Sequence, residues 1–168
     1  MILHTLCSVR LYYLAIFQPM KKAIIDLSLF FPYQLSQLQA TVSNCIAQVY
    51  GGKYQLSRQE WRVLATLNNQ EALNASQIGE QCNLDKMPTS RAIKSLVERG
   101  LILRREDTQD KRASLLSLSD TGQNLMQDIA PLVLAQEQEI LSALSPKEQA
   151  TMVKLLEKLQ AHANSLNH

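Results

Sequence analysis

Apolar residues recur three and four positions apart along most of the chain, which is the period of an amphipathic helix. This spacing predicts a first helix from Pro32 to Tyr50, ended by the Gly51-Gly52 pair. A second helix is expected directly after Ser57, because Ser57 and Glu60 have the three-residue spacing of a capping box. The pattern therefore predicts two helices before residue 70.

The middle of the chain combines two more predicted helices with a hairpin. Asn74 and Gln77 repeat the start signal before a short third helix. A fourth helix is expected over about residues 87–99, with Pro88 tolerated in its first turn and Gly100 as its C-terminal cap. Two short apolar-rich runs, 101–105 and 113–118, then flank a polar stretch, which indicates a β-hairpin with a long charged tip.

Two further helices are predicted after the hairpin. Ser119 opens a long helix whose spaced residues include Leu125, Ile129, Leu132, Gln136, Ile140 and Leu144. Ser145, Pro146 and Glu148 combine a cap, a first-turn proline and a box glutamate, which start the last helix. This order predicts a mainly α fold of the α+β type, namely a winged helix-turn-helix with additional N- and C-terminal helices.

A single domain is expected for 168 residues. Within it we assign residues 20–52 to an N-terminal dimerisation helix, 53–122 to the winged helix-turn-helix and 123–168 to C-terminal dimerisation helices. Residues 1–19 are interpreted as a non-native or mis-started extension, because Met20 is followed by Lys21-Lys22. The apolar run 11–17 is too short to span a bilayer and lacks a signal-peptide cleavage pattern, so no membrane partner is expected.

Composition adds two points to this picture. The net charge of +2 implies no partner by itself, but eight basic and only five acidic residues lie between Asp85 and Arg112. The cysteines, Cys7, Cys45 and Cys82, are odd in number and form no C-x-x-C pair, so neither a disulfide framework nor a zinc site is indicated. A reducing, cytoplasmic location and no metal or other cofactor are the expectations.

The predicted fourth helix has two different faces. At 100° per residue, one side carries Thr89, Ile93, Leu96 and Val97, and the other carries Met87, Arg91, Lys94, Ser95 and Glu98. The first side is expected to pack on the protein and the second to meet a partner. A solvated helix face is the alternative when this helix is taken alone.

Double-stranded DNA is the partner that this face suggests. A helix fits the major groove, where Arg91 is the candidate for a bidentate pair with guanine. Lys86 and Lys94 are placed for phosphates or base edges, and Met87 and Pro88 for thymine methyl groups. Ser90 and, in the first hairpin strand, Arg105 complete the candidate DNA contacts on the helix and strand.

The hairpin tip supplies a second candidate contact. Its sequence Asp110-Lys111-Arg112 is a basic finger that could enter an adjacent minor groove, with Asp110 orienting the arginine by a charge-assisted pair. A helix and a basic finger in tandem are hard to explain by solubility, which favours DNA binding over a merely solvated face.

Four segments in this order resemble the multiple antibiotic resistance regulator (MarR) family of bacterial transcription factors. They are residues 56–64, residues 84–91, residues 98–102 with Arg104, and residues 110–112 with 116–122. They include Leu84-Asp85-Lys86, Glu98-Arg99-Gly100-Leu101 and Asp110-Lys111-Arg112. The resemblance implies a two-fold dimer that reads a pseudo-palindromic operator. It also places Arg91 and Arg112 at the family's major-groove and minor-groove arginines. The residues 87–90 depart from the small or hydroxyl residues often found there, which bears on base preference.

Apolar stripes support the homodimer independently of the resemblance. The first helix and the last two helices carry more apolar surface than the small winged core can cover, and a two-fold partner is the commonest way to bury it. Packing of these stripes on their own domain is the alternative.

The resemblance also implies a small effector, often an aromatic or phenolic anion, held between the dimer helices and the winged region. Tyr33, Trp61 and Arg62 are the candidates, since an aromatic wall and one cation suit an aromatic carboxylate. A core role for Trp61 is the competing interpretation. Redox sensing through Cys45 or Cys82 is another family mode, although neither has a sequence-adjacent base.

The sequence also bears on two other classes of function. No nucleophile motif or phosphate-binding glycine loop is present, and the three histidines lie near the chain ends, so an enzyme is not expected. A winged-helix protein-interaction module remains an alternative to a DNA-binding repressor. The sequence does not decide between repressor and activator.

Overall fold

The computed structural model describes residues 25–70, 72–106 and 114–166, over which the chain forms six helices and two strands. In chain order they are α1 (Phe31–Gly51), α2 (Arg58–Asn68), α3 (Ala75–Cys82), α4 (Lys86–Glu98), β1 (Ile102–Glu106), β2 (Ser114–Leu118), α5 (Asp120–Leu141) and α6 (Pro146–Ser165). The predicted order of helices and hairpin is confirmed. It is the arrangement of a winged helix-turn-helix.

The described part of the chain divides into two units, with the boundary between Gln39 and Ala40. In the first unit, a turn precedes α1, because the Asp26 carboxylate accepts hydrogen bonds from the amide and the hydroxyl of Ser28, at 2.9 and 2.7 Å. All side chains of residues 25–39 are exposed, including the apolar Leu35 and Leu38. The strands and the helices α2 to α6 belong to the second unit.

Side-chain caps confirm the predicted starts of α2, α3, α5 and α6. The Ser57 hydroxyl accepts the amide of Glu60 at 3.2 Å, and the Glu60 carboxylate accepts the amide of Ser57 at 2.7 Å. Asn74 and Gln77 exchange the same pair of bonds at the start of α3, at 3.0 and 2.9 Å. A third box starts α6. Each box satisfies amides that the first helical turn leaves without partners.

The core of the second unit lies between α2, α3, α4, the hairpin and the first half of α5. Its largest fully buried side chains are Val63, Leu64, Ile78, Ile93, Leu96, Ile102, Leu116 and Ile129. The strands pair antiparallel from Ile102–Leu118 to Glu106–Ser114. Leu73 adds a bridge to Leu116, with both backbone hydrogen bonds formed, which fastens the segment before α3 to the hairpin.

The long helix α5 ends earlier than its apolar spacing predicts. It stops at Leu141, so Leu144 lies beyond it. The side-chain amide of Gln149 donates to the carbonyls of Leu141 and Leu144, at 2.9 and 3.0 Å, and so satisfies groups that a continued helix would have used. Among the described residues, none of the helices has the length and apolar character needed to cross a membrane.

Candidate nucleic-acid interface

The turn between α3 and α4 is held by close backbone packing. Asn83 caps α3 in the left-handed conformation (φ 50°), which asparagine tolerates better than most residues. A Cβ at Gly79 would lie 3.2 Å from both the Leu84 carbonyl oxygen and the Thr89 hydroxyl, so glycine allows α3 and α4 to approach. The buried Thr89 hydroxyl donates to the Asp85 carbonyl at 2.9 Å. The angle at which α4 leaves the turn is therefore well defined.

The two faces of α4 divide almost as predicted. Thr89, Ala92, Ile93 and Leu96 are buried and Val97 is half-buried, whereas Lys86, Met87, Ser90, Arg91, Lys94 and Glu98 are exposed. Lys94 and Glu98 form an exposed ion pair one turn apart, at 3.8 Å. The guanidinium of Arg91 has no carboxylate partner among residues 25–70, 72–106 and 114–166. This helix therefore presents a polar side with an available cation.

The prediction for Ser95 is wrong. Ser95 is half-buried, and its hydroxyl donates to the Glu60 carboxylate of α2 at 2.6 Å instead of facing a partner. A helical projection places Ser95 beside Arg91 because it counts positions along one helix and takes no account of the helix packed against it.

Two clefts flank Pro88 on the outer surface. The larger, of about 850 Å³, lies between α3 and α4 and reaches Lys86 and Ser90. The smaller, of about 340 Å³, lies between the first turn of α2 and α4, and Arg91 and Ser95 both line it. Gln59 lines both clefts. The exposed surface around α4 thus extends to the start of α2.

Glu60 is the most constrained ionisable group of this region. Burial raises the pKa of its carboxyl, but hydrogen bonds from the Ser95 hydroxyl and from Ser57, together with the Arg99 charge, outweigh this effect and leave the pKa below its ordinary value. The carboxylate therefore stays ionised inside the protein at neutral pH. Sequence reasoning identified Glu60 only as a capping residue and missed its bonds to α4, since these join residues 35 and 39 positions apart.

The hairpin carries Arg104 and Arg105 as exposed residues of β1. Arg105 lines a polar groove of about 430 Å³ together with Gln123 and Gln127 of α5 and the end of α2. That groove contains no residue of α4. The role of Arg105 in DNA binding stays a prediction. Asp110, Lys111 and Arg112 lie outside the described residues.

The effector candidates Trp61 and Arg62 lie together. Both line a shallow pocket of about 430 Å³ with Thr66, Gln81 and Cys82. Trp61 is half-buried and stacks on Tyr50 with ring centroids 5.3 Å apart, so it packs against the core and also contributes to the pocket. Tyr33 belongs to the first unit, where its exposed hydroxyl accepts a hydrogen bond from Gln37 at 2.7 Å.

The two described cysteines are free thiols. Cys45 is half-buried on α1, and Cys82 is buried at the end of α3 with its sulfur 3.1 Å from the Thr66 hydroxyl. Cys82 packs with the apolar core, as expected for a small apolar residue.

Comparison with known proteins identifies the family. The MarR family model matches residues 56–114, which span α2 to the start of β2. YkoM, an uncharacterised HTH-type transcriptional regulator from Bacillus subtilis (strain 168), is 30% identical over 107 residues, which are 64% of this chain and 70% of that protein. The chain belongs to the MarR family. It is thus a MarR-family transcriptional regulator.

Solved structures show the same MarR-type fold. CouR, a transcriptional repressor solved bound to a 23-mer DNA duplex, aligns with a TM-score of 0.72 at 20% identity and covers 84% of this chain and 99% of its own. BpsR from Bordetella bronchiseptica, whose DNA binding is regulated by 6-hydroxynicotinic acid, aligns with a TM-score of 0.74 at 22% identity, over 82% and 98% of the two chains. At these identities the likeness establishes the winged-helix fold of this MarR-family chain.

Proposed function

We propose that this MarR-family protein binds DNA sequence-specifically as a homodimer on a pseudo-palindromic operator. The observation that carries the proposal is the division of α4 into a buried apolar side and an exposed side with Lys86, Arg91 and Lys94. A helix fits the major groove of B-DNA, where an arginine pairs bidentately with guanine O6 and N7. Arg91, which is exposed and has no carboxylate partner in the described part of the chain, takes that role.

The neighbours of Arg91 have supporting roles in this proposal. Lys86 and Lys94 contact phosphates, and the Lys94–Glu98 pair opposes this little because an exposed pair at 3.8 Å is weak and screened by salt. Met87, which is 60% exposed, and the half-buried Pro88 are placed for thymine methyl groups, and Ser90 for a polar contact. The hairpin residues Arg105, Asp110, Lys111 and Arg112 complete the set, with Arg112 in the adjacent minor groove.

The homodimer is supported by helices that lack a buried side. None of the 20 residues of α6 is buried, although Val153, Leu155, Leu156 and Leu159 are apolar and about half exposed. A 20-residue helix with one exposed apolar stripe needs a partner surface. A second copy of the chain supplies it and places two copies of α4 about one DNA turn apart.

We further propose that the protein is a repressor released by a small aromatic acid. Trp61 and Arg62 in one pocket provide an aromatic wall and a cation, which suits an aromatic carboxylate. Tyr33 is a candidate contact from the sequence alone. BpsR, which is similar in fold, is regulated by an acid of this class.

Selection of bound fragments from a pool of random duplexes tests the function. The full chain is expected to enrich a palindromic consensus, and its affinity is expected to fall steeply with salt because several phosphates are neutralised. Addition of a panel of small aromatic acids is expected to release the enriched duplex for at least one acid. A matched protein with Arg62→Ala is expected to keep the consensus and lose the response to the acid.

Three outcomes would contradict parts of this proposal. No enriched sequence, or binding that is insensitive to salt, would favour a protein-interaction module. A consensus without dyad symmetry would contradict the dimeric operator. Release by a thiol oxidant and by none of the acids would favour a cysteine-based sensor.

A further inference from the structure

Glu60 is a buried carboxylate shared by α2 and α4. It is 8% exposed, and its Oε1 accepts the hydroxyl of Ser95 at 2.6 Å and lies 3.5 Å from the guanidinium Nη1 of Arg99. Its other oxygen accepts the amide of Ser57 at 2.7 Å. The capping function requires only the bond to Ser57, so the two contacts with α4 call for another explanation.

Arg99 extends this cluster to the loop before α2. The guanidinium, at the C-terminal end of α4, donates to the carbonyls of Tyr54 and Gln55 at 3.1 and 3.2 Å. Gln55 has a positive φ of 51°, an uncommon conformation for a residue other than glycine. The last turn of α4 is therefore attached by polar bonds to both the loop and the first turn of α2.

The position of Ser95 connects this cluster to DNA recognition. Ser95 lies one helical turn after Arg91, and both line the cleft between α2 and α4. The opposite side of α4 is held by Ile93 and Leu96, whose apolar contacts are not directional. A hydrogen bond depends steeply on its angle, so the Ser95–Glu60 bond constrains the rotation of α4 about its axis more closely than the apolar contacts do.

We propose that Glu60, acting through Ser95 and Arg99, is a positioning residue that fixes the rotation of α4 and hence the direction of Arg91. This inference rests on the proposed DNA-binding function. Glu60 itself does not touch the DNA. It contributes to the choice between sequences, because the major-groove contacts that specify a base need Arg91 in one orientation, whereas phosphate contacts tolerate a small rotation.

Removal of single hydroxyl and charge groups tests the positioning role. The variants are Ser95→Ala and Glu60→Gln, and the matched control is Glu148→Gln, because Glu148 accepts the Ser145 amide at 2.8 Å in an equivalent box on α6. The probes are the duplex enriched by the wild type from a random pool and an unselected duplex of the same length. The affinity of each variant for both duplexes is measured at one salt concentration and at a temperature below the unfolding midpoint of every variant.

The specificity ratio is the affinity for the enriched duplex divided by the affinity for the unselected duplex. Ser95→Ala and Glu60→Gln are each expected to lower this ratio about tenfold and to leave the affinity for the unselected duplex unchanged. Ser95→Thr, which keeps the hydroxyl, is expected to retain most of the ratio, and Glu148→Gln all of it. Three results for Ser95→Ala and Glu60→Gln would overturn the inference. These are an unchanged ratio, an equal loss of affinity for both duplexes, or a loss in the ratio no larger than that of Glu148→Gln.

The inference and the proposed function fail in different ways. A wild-type protein that enriches no duplex contradicts the function itself. If the wild-type protein enriches a duplex and Ser95→Ala has the same ratio of affinities as the wild type, only the positioning role is contradicted. If Glu60→Gln does not fold, Ser95→Ala decides the question alone.

Discussion

Arg91 and Ser95 lie one turn apart on α4 and have different surroundings. Arg91 is exposed, whereas the Ser95 hydroxyl is bonded to Glu60 at 2.6 Å. The periodicity of the sequence separated the apolar from the polar side of this helix correctly, because burial of apolar residues follows the helical period. It could not separate Arg91 from Ser95, because the partner that distinguishes them lies on another helix.

Replacement of Arg91 by alanine tests the major-groove contact at its own position. Arg91→Ala is expected to lose about 1–3 kcal/mol of discrimination between the preferred and the substituted base, since a bidentate pair with guanine is removed. Competition binding with duplexes that differ at one base pair measures this loss. Lys111→Ala is the control, and it is expected to weaken all duplexes alike. Equal losses on specific and random DNA for Arg91→Ala would contradict the assignment.

The lowered pKa of Glu60 predicts how stability depends on acid. Because the folded protein holds this pKa below its ordinary value of 4.5, the carboxylate contributes stability that is fully present above that value. The contribution is expected to disappear as pH falls from about 4.5 through the pKa of the folded state. Denaturant unfolding of wild type and Glu60→Gln should therefore show a free-energy difference that shrinks between pH 6 and pH 3. A difference independent of pH would show that ionised Glu60 contributes nothing.

At the scale of the elements, the start of α5 packs closely against the residues before β1, and this packing depends on Gly122. The Ser119 hydroxyl donates to the Gly100 carbonyl at 2.6 Å and accepts the amide of Gly122 at 3.0 Å. A Cβ at Gly122 would overlap the carbonyl oxygen of Leu101. The cap was predictable from Ser119, whereas the need for glycine three residues later depends on how closely the strand approaches the helix.

Gly122→Ala is therefore expected to destabilise the protein by about 1–3 kcal/mol, because the backbone of β1 or α5 must shift to admit the methyl group. Gly52→Ala is the matched control, since a Cβ there would lie 3.7 Å from the Gln48 carbonyl oxygen, an ordinary contact. Chemical denaturation measures both. A Gly122 variant as stable as the Gly52 variant would show that the strand moves without cost.

At the scale of the whole molecule, the sequence predicted more apolar surface than one copy of the chain covers. α6 has no buried residue, and Leu132 and Leu134 of α5 are about half exposed. The spacing of apolar residues predicted these helices correctly but did not show what covers them. An apolar helix face has the same spacing whether it packs on its own domain or on a second chain.

Leu159→Asp is expected to weaken the proposed dimer. Leu159 is about half exposed in one copy, so a dimer that covers it gains about half of the 1.5–3 kcal/mol expected for full burial of a leucine. The residue appears twice in a two-fold interface, so the dimer dissociation constant should rise by about 10–10²-fold. Sedimentation velocity over a range of concentrations measures this. Ala161→Asp adds the same charge on the opposite side of α6 and should leave the dimer intact. A wild-type chain that stays monomeric at micromolar concentration would contradict the dimer.

The sequence by itself determined the helices, their caps, the hairpin and the family, because hydrophobic period, capping boxes and short motifs are local properties that neighbouring residues fix. It also placed Met87, Arg91 and Lys94 on one side of α4. Tertiary structure alone decided that Ser95 and Arg99 bind Glu60, that Gly122 must be small and that Trp61 stacks on Tyr50. These contacts join positions that are distant in sequence, and their distances exist only once the helices have packed.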